Sequence, residues 1–119
     1  YKRQRMELAE QHCKPCEGGV QALTRQQSEE LLAALHPGWS LSEDGLSISR
    51  VFEFPAYSRT LGFANAVAWI AITEGHHPVL TVEYGRCEVS YTTHAIDGLT
   101  DNDFICAAKI DRLAGTDAT

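Results

Sequence analysis

Apolar residues recur along this chain with two different periods, and each period predicts one kind of element. Near the N-terminal end of the patterned region, three leucines share a helical spacing: Leu31, Leu32 and Leu35. Thr24 and Gln27 precede them at the separation of a capping box, so we expect a helix that begins after Thr24. Pro37 and Gly38 then end this first helix.

The first stretch of alternating apolar and polar residues spans 39–54 and predicts a β-hairpin. Asp44 and Gly45 lie in its middle and favour a two-residue turn, because both positions tolerate positive φ. After the turn, apolar side chains alternate onto one face of the strand, with Arg50 as the exception. These side chains are Leu46, Ile48, Phe52 and Phe54.

Two more helices are separated by a second hairpin. The helix predicted over 58–74 ends at Gly75 and is apolar around much of its circumference, so part of it is expected to meet another subunit. The last helix begins at Thr100. The order α-β-β-α-β-β-α predicts an α+β two-layer sandwich, in which three helices cover one face of a four-stranded antiparallel sheet.

The register of the second hairpin, over 79–94, brings histidines together. A type II′ turn at 85–86 places His77 opposite His94 on the polar face of the hairpin, and His76 is adjacent in sequence. Imidazoles exchange protons near neutral pH, so this cluster predicts a site of general acid–base catalysis. Two alternatives stay open: a zinc site with three histidines and a water, or histidines that merely connect a helix to a strand.

Two further sets of residues carry possible chemistry. Asp103, at the third position of the last helix, can cap that helix or turn toward the histidines and orient a ring. Cys13 and Cys16 form a Cys-x-x-Cys motif that can bind zinc or act in redox exchange, but two free thiols are the favoured interpretation. Cys87 and Cys106 lie in apolar patterns and are expected to be small buried hydrophobes.

Composition limits the classes of function. The chain has 119 residues, which suits one domain, here placed at 23–113 between an N-terminal arm (1–22) and a tail (114–119). A net charge of -6 argues against nucleic acid as the main ligand. No apolar run reaches the ~18 residues of a membrane span, and no apolar block follows the basic start as in a secretory signal, so we expect a reduced, cytoplasmic protein.

The histidine cluster lies within a longer pattern that resembles the signature of the pterin-4a-carbinolamine dehydratase family, in its bacterial-type members. The matching residues are Gly38, Trp39, Glu74, Gly75, His76, His77, Pro78, Tyr84, Thr92, Thr93, His94, Gly98, Leu99 and Asp103. The likeness runs from about Leu23 to Leu113. Two departures lie beside the histidine pair: some relatives have an acidic residue where this chain has Gly75, and many have an aromatic residue soon after His-His-Pro, where this chain has Val79 and Leu80.

The resemblance implies a fold, an activity and a site. It implies a four-stranded antiparallel sheet with three helices, assembly as a homodimer or homotetramer, and dehydration of 4a-hydroxytetrahydropterin to quinonoid dihydropterin without a cofactor or metal. That step recycles the pterin of aromatic amino acid hydroxylases, so a functional link to such an enzyme is expected. The implied catalytic residues are His76, His77 and His94. The implied substrate-binding residues are Gly75, His76, His77, Pro78, Thr92, Thr93, His94 and Asp103.

A role outside catalysis is the competing hypothesis. A broad apolar helix face could dock a hydroxylase or another regulated protein, and the chain would then be a non-catalytic partner. A small metal-binding protein that uses histidine and cysteine is a further alternative. Catalysis depends on the histidines, whereas docking does not, and a metal-binding protein would carry stoichiometric metal.

Overall fold

The computed structural model describes residues 7–15 and 20–115, and its elements follow the predicted order. The helices are α1 (Arg25–Leu32), α2 (Tyr57–Glu74) and α3 (Asp101–Gly115). The strands are β1 (Ser40–Leu41), β2 (Ile48–Glu53), β3 (Val79–Val82) and β4 (Arg86–Tyr91). Two short 3-10 turns lie at Leu8–Glu10 and His94–Ile96. The predicted α+β fold with three helices and four antiparallel strands is confirmed.

The sheet has the strand order β1-β2-β4-β3, and its buried face forms the core together with the helices. Fully buried side chains come from both layers: Ile48, Val89 and Tyr91 from the sheet, and Val67, Phe104 and Ile110 from the helices. Arg50 lies on this face too, and its Nη1 is 2.6 Å from Asp111 Oδ1 on α3. Its guanidinium also stacks over Phe52, 4.2 Å from the ring centroid. The exception in the apolar pattern is therefore an ion pair that joins the sheet to α3.

The first helix begins as its sequence predicts. Thr24 accepts a hydrogen bond from the Gln27 backbone N–H, and the Gln27 side chain accepts one from the Thr24 N–H. This reciprocal pair satisfies two of the N–H groups that a helix start leaves without partners. The capping box is confirmed.

The first hairpin has a longer loop than predicted. Leu41 pairs with Ile48, and the Ser42 N–H donates to Ser47 O at 2.9 Å, so four residues, 43–46, form the loop. Gly45 has positive φ (75°), but Asp44 does not, and the Asp44 carboxylate instead accepts the Leu46 N–H at 3.0 Å. The predicted two-residue turn is wrong. Leu46, predicted to be buried with the strand, lies in this loop and is 44% exposed.

The second hairpin is shifted by two residues from the predicted register. Val82 pairs with Cys87, and the Glu83 N–H donates to Arg86 O, so the loop is 84–85 rather than 85–86. Gly85 lies close to the end of β2, and its carbonyl accepts the Phe54 N–H at 2.8 Å. An added Cβ at Gly85 would lie only 3.1 Å from Phe54 O, so a glycine suits this close approach. The apolar and polar faces are unchanged, since side chains alternate with a period of two.

Helix α2 buries one face and exposes another. Its buried residues are Thr60, Ala64, Val67 and Ala71, whereas Trp69 is 67% exposed and Ile72 is 72% exposed. The helix ends at Gly75, which has a left-handed backbone with φ of 68°. Subunit contact through the exposed apolar face stays a prediction. Among the described residues, no helix combines the length and apolar character that a bilayer crossing requires.

Candidate active site

A cleft of about 420 Å³ opens where α2 ends and the chain leaves β4. Its lining comes from the arm, the end of α2, the segment after β4 and the start of α3: Cys13, Lys14, Pro15, Glu74, Gly75, His76, His77, Thr92, Thr93, His94, Ala95 and Asn102. The cleft lies in the size range of small-ligand sites. It holds all three histidines of the predicted cluster and three of the other predicted binding residues, Gly75, Thr92 and Thr93, although Pro78 and Asp103 are not in its lining.

The histidines meet by a route that differs from the predicted one. The observed register places β4's end at Tyr91, and His94 begins a 3-10 turn beyond it, so His77 does not lie opposite His94 on a ladder. The turn at 94–97 is closed by backbone hydrogen bonds between Thr93 and Gly98. This closed turn brings His94 to the cleft.

His76 is held in a fixed orientation. Its Nε2 lies 2.6 Å from Asp103 Oδ1, so the imidazole N–H donates to the carboxylate, and its ring stacks on Tyr91 with centroids 5.7 Å apart. Burial alone would lower the pKa of His76, but the hydrogen bond and negative charge of Asp103 outweigh burial and raise it above its ordinary value. The contact favours a ring that accepts and keeps a proton.

Asp103 is completely buried, and each of its oxygens has a partner. Besides His76, the carboxylate accepts a hydrogen bond from Thr93 Oγ1 at 2.8 Å and one from the Thr100 backbone N–H at 3.0 Å. The sequence left open whether Asp103 caps α3 or orients a histidine, and the structure places it in both contacts. A buried carboxylate with several donors is well suited to hold a neighbouring imidazole in one tautomer.

His77 and His94 differ from His76 because both are exposed to solvent at the mouth of the cleft. The adjacent Thr92 is anchored, since its hydroxyl donates to Leu46 O at 2.6 Å. The buried Thr93 is anchored through Asp103 and the Thr100 hydroxyl. The main chain that leads to His94 is therefore fixed, while the imidazole itself faces solvent.

The N-terminal arm forms one wall of the cleft, a feature that the sequence pattern did not predict. Glu74, whose side chain is only 4% exposed, accepts the Cys13 N–H at 2.8 Å and a hydrogen bond from His12 Nδ1 at 2.9 Å. Lys14 and Asn102 exchange two further hydrogen bonds, of 3.0 and 2.6 Å. The sequence shows only that a glutamate precedes Gly75, and neither its burial nor its partners on the arm follow from that.

Two other possible sites carry less chemistry. In the parts of the chain that the structure describes, 7–15 and 20–115, no three His, Cys, Asp or Glu side chains are grouped so as to hold a metal ion. Cys16, the second residue of the Cys-x-x-Cys motif, lies outside those ranges. A larger depression of about 770 Å³ lies between β2 and α2, but it is lined without a histidine. Of these sites, the cleft with the histidines is the one suited to proton transfer near neutral pH.

Comparisons with known proteins agree with the sequence resemblance. The family model described as pterin 4 alpha carbinolamine dehydratase matches residues 21–113. The chain belongs to this family. A protein of Nitrosomonas eutropha, named provisionally as a pterin-4-alpha-carbinolamine dehydratase, is 53% identical over 90% of this chain and 93% of its own length. A protein of Legionella pneumophila with the same provisional name is 50% identical over 90% of this chain and 95% of its own.

Two solved structures share this fold, and their descriptions name different functions. A protein of Brucella melitensis, described as a transcriptional coactivator/pterin dehydratase, matches with a TM-score of 0.75 and 34% identity, over 80% of this chain and 100% of its own. A pterin dehydratase-like protein described as a RuBisCO assembly factor matches with a TM-score of 0.58 and 23% identity, over 67% of this chain and 93% of its own. The second likeness concerns the fold alone.

Proposed function

We propose that this protein dehydrates 4a-hydroxytetrahydropterin to quinonoid dihydropterin, with His76, His77 and His94 as the acid–base groups. Family membership supports the reaction. The observation that carries the proposal is the cleft, which combines three imidazoles with a buried carboxylate behind one of them. The reaction does not require a nucleophile that bonds covalently to the substrate.

The reaction asks for two proton transfers. The leaving 4a-hydroxyl must receive a proton to depart as water, and a ring nitrogen must lose one as the new double bond forms. Groups that change protonation state near neutral pH suit both transfers. In this proposal His77 and His94 flank the hydroxyl, and His76 completes the acid–base set.

Asp103 supports this assignment through His76. The carboxylate fixes the Nε2 side of the ring, so the opposite nitrogen, Nδ1, is the one left to exchange a proton. The negative charge stabilises the imidazolium that forms when His76 takes a proton, as the raised pKa of His76 indicates. We assign Asp103 as a positioning residue rather than as a group that touches the substrate.

The remaining predicted binding residues provide main-chain groups. Gly75, Thr92 and Thr93 line the cleft and can hydrogen-bond a pterin through their backbone N–H and C=O groups. Pro78 follows the histidine pair outside the cleft lining, where its ring restricts the backbone of His77. These contacts are part of the proposal.

Stopped-flow measurement of dehydration tests the histidine assignment. The 4a-carbinolamine is generated in situ, the uncatalysed rate is subtracted, and His76→Ala, His77→Ala and His94→Ala are compared with the unaltered protein. Each variant is expected to lose about 100- to 10,000-fold in kcat/KM, the usual worth of an assisted proton transfer.

The matched control is His36→Ala. His36 follows α1, accepts the Gly38 N–H through its own ring, and is not in the lining of the cleft. This variant is expected to retain the full rate. Unaltered rates in both His76→Ala and His77→Ala would remove the acid–base assignment.

A docking role is the second candidate. The exposed apolar side chains of Trp69 and Ile72 on α2 favour it, and the Brucella melitensis relative is described as a transcriptional coactivator/pterin dehydratase. Such a role would survive replacement of the histidines but not Trp69→Ala. The proposal of a dehydratase includes three further points. The protein assembles as a homodimer or homotetramer, it is cytoplasmic, and it is functionally linked to an aromatic amino acid hydroxylase.

A further inference from the structure

Two thiols meet directly beneath the cleft, and the proposed dehydration uses neither of them. Cys13 Sγ of the arm lies 3.5 Å from Cys106 Sγ of α3. Cys106 is completely buried, and Cys13 is partly buried. Sulfur atoms at this separation are in van der Waals contact, so little movement is needed to join them.

Backbone contacts on both sides hold the Cys13 sulfur in this place. The Cys13 N–H donates to Glu74, the Cys13 sulfur lies 3.6 Å from Asn102 O, and the next residue is bonded to the Asn102 side chain. Cys106 is held by α3, and its sulfur lies 4.0 Å from His76 O. The pair is therefore positioned by the fold rather than by a chance approach of a loose chain.

The two thiols also differ in how readily they ionise. A hydrogen bond from the Cys13 thiol lowers the pKa of Cys106, and the charge of His76 adds to this, while burial opposes it. The same hydrogen bond and burial raise the pKa of Cys13. Cys106 therefore forms the reactive thiolate more readily, whereas Cys13 lines the cleft and is the sulfur nearer to solvent.

We propose that Cys13 and Cys106 form a reversible disulfide when the protein meets a peroxide. One of the two sulfurs attacks one oxygen of hydrogen peroxide, the O–O bond breaks, and a sulfenic acid and one water are produced. The other sulfur then attacks the sulfenic sulfur, the S–O bond breaks, and a second water leaves. Two thiols are oxidised to one disulfide, and one peroxide is reduced to two waters.

The disulfide would tie a wall of the cleft to its base. Cys13, Lys14 and Pro15 line the cleft, and in the reduced protein hydrogen bonds and packing hold them to α2 and α3. A covalent bond to Cys106 makes this attachment independent of those contacts. Cys106 follows Asp103 by one helical turn, and its sulfur lies 4.0 Å from the backbone carbonyl of His76, so the link closes next to that residue.

Peptide mapping of the full-length chain tests the proposal. The protein is reduced, freed of reductant, treated with hydrogen peroxide, alkylated and digested without reduction for mass spectrometry. The expected product is an intramolecular Cys13–Cys106 peptide pair in the unaltered protein and in Cys16→Ser, with none in Cys13→Ser. A Cys13–Cys16 link, a link between chains, or overoxidation of one thiol without a link would overturn the inference.

Thermal unfolding gives a second readout that does not depend on mapping. The disulfide closes most of the chain into one loop, so oxidised Cys16→Ser is expected to unfold about 5 °C or more above its reduced form. Dithiothreitol is expected to reverse the rise. Cys106→Ala, which keeps a small apolar side chain in the core, is expected to show no rise, and a lower midpoint in the oxidised protein would overturn the tethering.

Discussion

Histidines at the base and at the mouth of one cleft are held in opposite ways. We define the cleft floor as His76, Thr93, Thr100 and Asp103, and the cleft rim as His77 and His94. On the floor, Asp103 is fully buried and the His76 side chain is 12% exposed, whereas both rim residues are exposed. Neighbouring imidazoles can therefore line one cleft while only one of them is also part of the folded core.

The largest expected effect is the loss of Asp103. Asp103→Ala removes the acceptor for His76, Thr93 and the Thr100 N–H, and it leaves buried donors without partners. The free energy of unfolding is expected to fall by about 3–5 kcal/mol, as when one partner of a buried ion pair is removed. Urea denaturation measures it.

Asp101→Ala is the matched control for that experiment. Asp101 lies in the same first turn of α3 but is exposed. Its removal is expected to cost less than about 1 kcal/mol, the usual worth of a charge near a helix dipole. Equal losses in the two variants would contradict the distinction between floor and surface.

His76→Ala should have a smaller effect on stability than the loss of Asp103. It removes the stack on Tyr91 and one donor to the carboxylate, but water entering from the cleft can replace that donor. A loss of about 1–3 kcal/mol is expected by urea denaturation, together with the loss of dehydration described above. Stability equal to that of the unaltered protein would place His76 on the rim instead.

The pH dependence of stability also distinguishes the floor from the rim. Folding raises the pKa of His76, so the folded chain binds this proton more tightly than the unfolded chain does. The stabilisation is full below the unfolded pKa of about 6.5 and is lost as pH rises through the folded pKa. The stability difference between the unaltered protein and His76→Gln should therefore shrink as pH rises above about 6.5.

An Asp103→Asn background provides the control for this measurement. Without the carboxylate, the main cause of the raised pKa of His76 is absent. Adding His76→Gln to Asp103→Asn is then expected to give a stability difference that does not shrink in the same way. A shrinking difference of equal size in both backgrounds would show that another group raises the pKa.

The smallest expected effects on stability are at the rim. His77→Ala and His94→Ala alter exposed side chains and should change the free energy of unfolding by less than about 0.5 kcal/mol, although dehydration falls sharply in both. Denaturation and stopped-flow measurements on the same preparations check this separation. A rim variant that unfolds easily would show that its loss of rate reflects misfolding.

The elements of the fold were predictable because local signals specify them. The capping box at Thr24 and the glycine stop at Gly75 need only neighbouring residues, and both are found. The hairpin turns were not predictable, since Gly85 is fixed by its approach to Phe54 on another strand. A register is set by such distant partners as much as by the turn residues.

The site was predicted in part for a similar reason. His76, His77 and His94 are close in sequence to the two ends of one hairpin, so even a shifted register brings them to one cleft. The arm was missed, because its contacts with Glu74 and Asn102 span 61 and 88 residues of sequence and follow no periodic pattern. The closeness of Cys13 to Cys106 depends on that docking and was equally hidden.

Gly75 has a left-handed backbone and leaves space for a side chain at the edge of the cleft. A Cβ built at Gly75 would have no heavy atom within 4 Å, and the residue borders the cleft. Asp and Asn tolerate such a backbone better than other L-residues, at a strain of roughly 1–2 kcal/mol. Replacing this one residue by Asp or Asn would therefore add a carboxylate or an amide beside the histidines of the cleft without a steric clash against packed neighbours.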